Sequence, residues 1–200
     1  QVGRTGAVTP VADLRPVEVN GVVVKRATLH NKDEIERKGL RLHDTVLIQR
    51  AGDVIPEIVK VIPEMRIGCE QPIVFPTACP ECGEPLMQTD GEAVIRCVNP
   101  ICPAQHLQKL IYFVGKSGLD LEGLGKKNIE HLVREGLVRT IPDLFRLDVK
   151  KLANLDGWGE KSARNVVAVI ESKKTMGLAQ FIGALGIRHV GEVTAGLLAQ

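Results

Sequence analysis

Hydrophobic and polar positions follow three different patterns along this chain. Over roughly residues 1–75, β-branched runs are punctuated by glycine and proline. In Val17-Glu18-Val19-Asn20-Gly21-Val22-Val23-Val24 an Asn-Gly pair separates two such runs, which predicts a tight hairpin. Thr45–Arg50 and Val54–Ile62 read as two further strands around Ala51-Gly52-Asp53, with Pro56 marking an edge or a bulge. Asn31-Lys32-Asp33-Glu34 has the spacing of a helix-starting capping box, and Gly39 is placed to end that helix. Several strands and one short helix in this length predict a small five-stranded barrel of OB type; an SH3-like barrel would show the same periodicity. From about residue 105 the period becomes helical. Leu107, Leu110, Ile111 and Val114 share one face, as do Ala163, Val166, Val167 and Ile170.

Between these stretches, over 76–104, lies a cysteine island. Cys79, Cys82, Cys97 and Cys102 are spaced C-x2-C-x14-C-x4-C. Two close pairs let two turns deliver four thiolates to one tetrahedral ion, with Gly83 easing the first turn and Asp90-Gly91 closing a short hairpin between the pairs. Disulfides would demand an oxidising compartment, and no export signal precedes them. The pattern therefore predicts a zinc ion whose four cysteine ligands leave no open position, which makes it structural. Cys69 has no partner at such spacing and reads as an ordinary free thiol.

The helical part contains a repeat. Glu122-Gly123-Leu124-Gly125, Asp156-Gly157-Trp158-Gly159 and Arg188-His189-Val190-Gly191 recur at spacings of 34 and 32 residues, each before a helical pattern. A turn that permits positive φ, followed at once by a helix N-terminus, presents free backbone amides to a phosphate. Three such turns predict helix-hairpin-helix units that hold DNA by its backbone, using Gly123, Gly125, Gly157, Gly159 and Gly191. Tetratricopeptide repeats have a similar period but need bulky aromatics at set positions. Gly159-Glu160-Lys161-Ser162 resembles the tail of a P-loop, but its first glycine is misplaced and no strand precedes it.

Composition narrows the picture further. Only six of 200 residues are aromatic, which disfavours binding by base stacking. The net charge of +2 gives no polybasic arm, so any grip on nucleic acid must come from placed groups. Arginines stand beside glycine turns in Val2-Gly3-Arg4-Thr5-Gly6 and in Arg50-Ala51-Gly52-Asp53-Val54-Ile55-Pro56, where a guanidinium can meet phosphate oxygens or simply sit in solvent. No apolar run is long enough to span a membrane. A start at Gln1 and an end inside a helical pattern at Gln200 suggest a fragment.

Barrel, four-cysteine finger and serial hairpins stand in one order. With Val2-Gly3-Arg4-Thr5-Gly6, Ala27-Thr28-Leu29-His30-Asn31 and Arg50 to Pro56, that order resembles the bacterial NAD-dependent DNA ligase family over essentially the whole chain. The resemblance implies an OB-fold DNA-binding domain over 1–75, a four-cysteine zinc finger over 76–104 and a helix-hairpin-helix domain over 105–200, truncated at its C-terminus. It also implies that Arg4, Thr5, Arg50, Val54 and Ile55 meet nicked double-stranded DNA, the arginines on phosphates and Val54 and Ile55 on the minor-groove side. The family joins a 3′-hydroxyl to a 5′-phosphate through lysyl-AMP and DNA-adenylate intermediates, using NAD and Mg2+ or Mn2+, in replication and repair. Its nucleotidyl lysine lies in a Lys-x-Asp-Gly motif, and Asp90-Gly91 and Asp156-Gly157 lack that lysine. The resemblance therefore implies an inactive middle portion, a monomer in the bacterial cytoplasm on the nucleoid. The adenylation machinery, the last hairpin and a BRCT domain would lie outside it. A non-catalytic zinc-ribbon and helix-hairpin-helix repair scaffold is the alternative.

Overall fold

The structure is a computed structural model that describes residues 1–52 and 55–200. They form two compact units, Gln1–Cys102 and Pro103–Gln200.

In the first unit, β1 (Val11–Val19) and β2 (Val22–Thr28) form an antiparallel hairpin. Its turn residues Asn20 and Gly21 have φ of 50° and 75°, so both lie where the mirror-image turn of a two-residue hairpin needs them. The helix α1 (Lys32–Arg37) starts where the Asn31 side chain accepts from the Glu34 N–H at 2.9 Å. The capping is one-sided: the Glu34 carboxylate is engaged by Arg37 and Lys38. After the two-residue β3 (Arg41–Leu42), β4 (Val46–Ala51) and β5 (Ile55–Val61) pair antiparallel, with Pro56 opposite Arg50. A 3-10 turn at Pro63–Met65 leads to β6 (Gln71–Pro72), which pairs with β3. The main sheet runs β1-β2-β5-β4, with β2 and β5 parallel. Register shifts between Asp13 and Val17 and between Leu47 and Ile48 help to bend the sheet. Ala27, Leu29, Ile35, Leu40, Ile58 and Val61 are buried inside the curl, and Phe75 packs against them. The fold is an OB barrel. Four long strands and a short β3–β6 ladder stand where the sequence pattern predicts five strands, because Gly39 and the Asp44 turn confine β3 and Pro72 lacks an N–H for longer pairing.

The cysteine island contributes β7 (Leu86–Gln88) and β8 (Ile95–Cys97), an antiparallel hairpin around Asp90-Gly91.

The second unit is all helical. It comprises α2 (Pro103–Val114), α3 (Lys126–Arg134), α4 (Ile141–Leu144), α5 (Val149–Ala153), α6 (Glu160–Ser172), α7 (Leu178–Ala184) and α8 (Glu192–Leu198). Leu110 and Val114 of α2 and Ala163, Val166 and Ile170 of α6 enter its core, as their spacing predicts. Phe113 and Phe145 meet edge to face in that core, at 6.2 Å and 82°. Among the described residues, no helix is long and apolar enough to cross a membrane.

Candidate metal centre and nucleic-acid interface

The four cysteines of the island converge. Cys79, Cys82, Cys97 and Cys102 bring their sulfurs within 4.8 Å of one another. Cys79 Sγ lies 4.0 Å from Cys102 Sγ, and Cys82 Sγ lies 3.6 Å from Cys97 Sγ. Four sulfurs about 2.3 Å from a tetrahedral zinc are about 3.8 Å apart, so the donor set fits that ion. These contacts are far longer than a sulfur–sulfur bond, and none of the four cysteines is in a disulfide. Burial pushes the Cys97 thiol up to about 12, whereas the Glu84 backbone and the Asn99 side chain bring Cys82 down to about 7. Cys69 is exposed and outside the cluster.

The first arginine motif is a turn tied to this finger. Gly3 N–H donates to Ala7 O at 2.8 Å and Gly6 N–H to Gly3 O at 3.0 Å, which places Arg4 and Thr5 at the tip. Val8 N–H then donates to Ile95 O, and Cys97 N–H donates to Gly6 O, each at 2.9 Å. Residues 6–8 thus lie along one edge of β8 while β7 pairs with the other. The Thr5 hydroxyl accepts from Arg96 Nη1 at 3.1 Å. Arg96 is a functional candidate that sequence reading missed, since 91 residues separate it from Thr5 and no local pattern links them.

Arg50 occupies the end of β4, opposite Pro56. Ile55, at the start of β5, is 56% exposed and open to an external partner. Val54 lies outside the described residues. Behind this hairpin, Glu57 accepts from Gln49 Nε2 at 2.7 Å and pairs with His30 Nε2 at 3.0 Å. Those two partners hold its carboxyl below the usual range. His30 itself sits at φ 60°, its N–H bonded to the Thr28 hydroxyl, so the Ala27-Thr28-Leu29-His30-Asn31 motif braces the base of the Arg50 hairpin.

The three repeated turns share one backbone form. Gly123, Gly157 and His189 have φ of 86°, 75° and 65°, and Gly125, Gly159 and Gly191 are the extended N-caps of α3, α6 and α8. A glycine N-cap has no side chain to occupy the first-turn amides; at α3 the Asn128 N–H turns back to Gly125 O at 3.0 Å, and at α6 the Gly159 N–H donates to the Ser162 hydroxyl at 3.1 Å. The first two turns face a common shallow cavity of about 590 Å³, lined by Gly123, Asn128, Gly157, Trp158, Ser162 and Asn165. Glu122 and the apolar Val166, Ala168 and Val169 complete a lining in which two glycine turns and short polar side chains alternate with apolar surface. The third turn precedes the seven-residue α8 and does not line that cavity.

Comparison with known proteins agrees with this architecture. Residues 1–70 match the NAD-dependent DNA ligase OB-fold domain. Residues 78–104 match the NAD-dependent DNA ligase C4 zinc finger domain, and residues 119–172 match a SAM-like helix-hairpin-helix tandem. The chain is 52% identical over 198 residues to a DNA ligase of Geobacter sulfurreducens, covering 99% of this chain and 30% of that protein. It is 51% identical over 199 residues to a DNA ligase of Sulfurihydrogenibium azorense, covering 100% of this chain and 28% of the relative. A DNA ligase of Methylococcus capsulatus is 52% identical over 201 residues, covering 100% and 30%. The chain thus spans less than a third of the length of these curated relatives.

Proposed function

Since this chain belongs to the NAD-dependent DNA ligase family, we propose that it is the DNA-gripping portion of a nick-sealing enzyme. In this reading it holds nicked double-stranded DNA by its backbone while the adenylating lysine is supplied from outside these 200 residues. The observation that carries the reading is the pair of glycine turns at Gly123 and Gly157, opening on one groove with the glycine-capped N-termini of α3 and α6 beside it. Amides and helix dipoles so placed suit phosphate oxygens and carry no sequence preference. Arg4 and Arg50 would add charged contacts from the barrel, with Ile55 pressing on the minor-groove side and Val54 sharing that role. Gly191 and the turn at His189 would offer a weaker third contact, because α8 is short.

Cys79, Cys82, Cys97 and Cys102 would hold a structural zinc that fixes the hairpin β7–β8. The bound ion supplies a rigid fourfold link and no chemistry to the joining reaction. The parent enzyme would use NAD and Mg2+ or Mn2+ to join a 3′-hydroxyl to a 5′-phosphate. This portion contributes by positioning the two ends in line. It would work as a monomer on the bacterial nucleoid.

The direct test is retention of labelled nicked duplex by the zinc-loaded chain at low salt, beside a single strand of equal length. Retention of the duplex in preference to the single strand is expected. Equal retention of both, or retention of neither, would overturn the reading.

A further inference from the structure

The zinc hairpin and the Arg4 turn are held together by more than chain continuity. Residues 6–8 run antiparallel to β8, with Ala7 opposite Arg96. The backbone bonds from Val8 to Ile95 and from Cys97 to Gly6 lie on either side of that pair. Cys97 thus contributes its sulfur to the metal cluster and its N–H to the last residue of the turn. The Arg96 side chain, 18% exposed, spans the remaining gap. Its Nη1 donates to the Thr5 hydroxyl at 3.1 Å and reaches the Thr5 carbonyl at 3.4 Å. Its Nε donates to Glu92 on the same hairpin at 3.3 Å, so the guanidinium is anchored at both ends.

We propose that Arg96 is a positioning residue for DNA binding: by holding Thr5 it fixes the turn that aims Arg4 at phosphate, and so transmits the state of the zinc finger to the barrel. This rests on the reading above, in which Arg4 meets DNA. Arg96 acts by preorganisation. A turn with glycine at both position 3 and position 6 has high backbone freedom, and backbone bonds from Gly3 to Ala7 and from Gly6 to Gly3 close it. An arginine on such a turn loses that freedom on binding unless the protein has already removed it. Thr5 then acts as the handle by which the turn is held, with its hydroxyl engaged inside the protein.

A double-mutant cycle on the zinc-loaded chain tests this, reading nicked-duplex affinity and zinc content together. Arg96→Ala and Thr5→Val should each weaken binding about tenfold, the worth of one charge-assisted hydrogen bond. Zinc content should stay at one ion per chain, and Thr5→Ser, which keeps the hydroxyl, should retain affinity. In an Arg4→Ala background, neither change should weaken binding further. Hydrogen exchange at the Val8 and Cys97 amides should rise when zinc is chelated, whereas amides of the β4–β5 ladder stay protected.

If Arg4→Ala lowers affinity but Arg96→Ala and Thr5→Val do not, the positioning role is wrong and the DNA-binding reading stands. Additive losses in the Arg4→Ala background would place Arg96 on the DNA itself and also overturn the proposal. If Arg4→Ala leaves affinity unchanged, the reading of Arg4 fails, and the inference built on it fails too.

Discussion

Asp44 shows what single residues contribute to this fold. Its side chain is 1% exposed, and both carboxylate oxygens bond Arg66, at 2.7 and 2.9 Å. It also accepts from the Arg41 N–H at 2.7 Å, and Arg66 donates in turn to Gly39 O at 2.8 Å. One carboxylate therefore ties the segment after the 3-10 turn to the start of β3. The Arg66 guanidinium beside it holds its carboxyl below the usual range. Since the native pKa is depressed, the stabilisation is fully present above the unfolded value of about 3.9 and is lost as pH falls through the lower native value. Asp44→Ala should destabilise the first unit by about 2 kcal/mol at neutral pH, measured by urea unfolding. The difference from the parent should vanish in strong acid. Cys97→Ser should have a larger effect, since it removes one of four ligands from a site of the kind that contributes about 10–16 kcal/mol of metal binding. Loss of bound zinc and a lower melting temperature of the first unit are expected; unchanged zinc content would remove Cys97 from the ligand set. The cysteine pattern was legible because ligand spacing is local. Arg96 and Asp44 were not, because their partners are brought to them only by the fold.

At the scale of elements, a turn and the helix behind it act together. A Cβ on Gly123 would lie 2.7 Å from Val166 Cγ2 on α6, in addition to requiring the left-handed conformation. At Gly157 the conformation is equally left-handed, but nothing lies within 4 Å. Gly157→Ala should therefore cost roughly 1–2 kcal/mol, from the backbone alone. Gly123→Ala should add about 1–3 kcal/mol of overpacking against a stiff, buried β-branched side chain. Thermal unfolding of the helical unit should rank the two in that order; equal losses would show that α6 moves aside. The repeat itself was readable from sequence, since glycine spacing and helical period are both local signals. His189 departs from the glycine of the other two repeats, and at φ 65° it adopts the same turn as they do. The β3–β6 ladder was not readable, because two residues give no periodicity and their pairing is set by chain closure. The Asn20-Gly21 hairpin and the Pro56-containing strand were, because turn chemistry and strand alternation are written in neighbouring residues.

At the scale of the molecule, scarcity of aromatic residues now has a structural meaning. Phe113 and Phe145 fill the helical core and Phe75 packs on the barrel core, so these rings support the scaffold. The first unit carries arginines on two turns, and the second carries glycine-turn amides beside a groove of mixed polar and apolar lining that includes Trp158. Backbone amides and single arginines need no large net charge to meet a phosphate. The chain lacks the Lys-x-Asp-Gly motif for adenylation, so incubation with NAD should leave it without covalent AMP, as judged by intact mass. Backbone gripping is read from the salt dependence of nicked-duplex affinity for the zinc-loaded chain and its Arg50→Ala variant, on two unrelated sequences. Affinity should fall linearly on logarithmic axes, equally for both sequences, with a slope shallower by about 0.9 in Arg50→Ala because one phosphate contact is lost. An unchanged slope in the variant, or a strong preference for one sequence, would contradict backbone gripping.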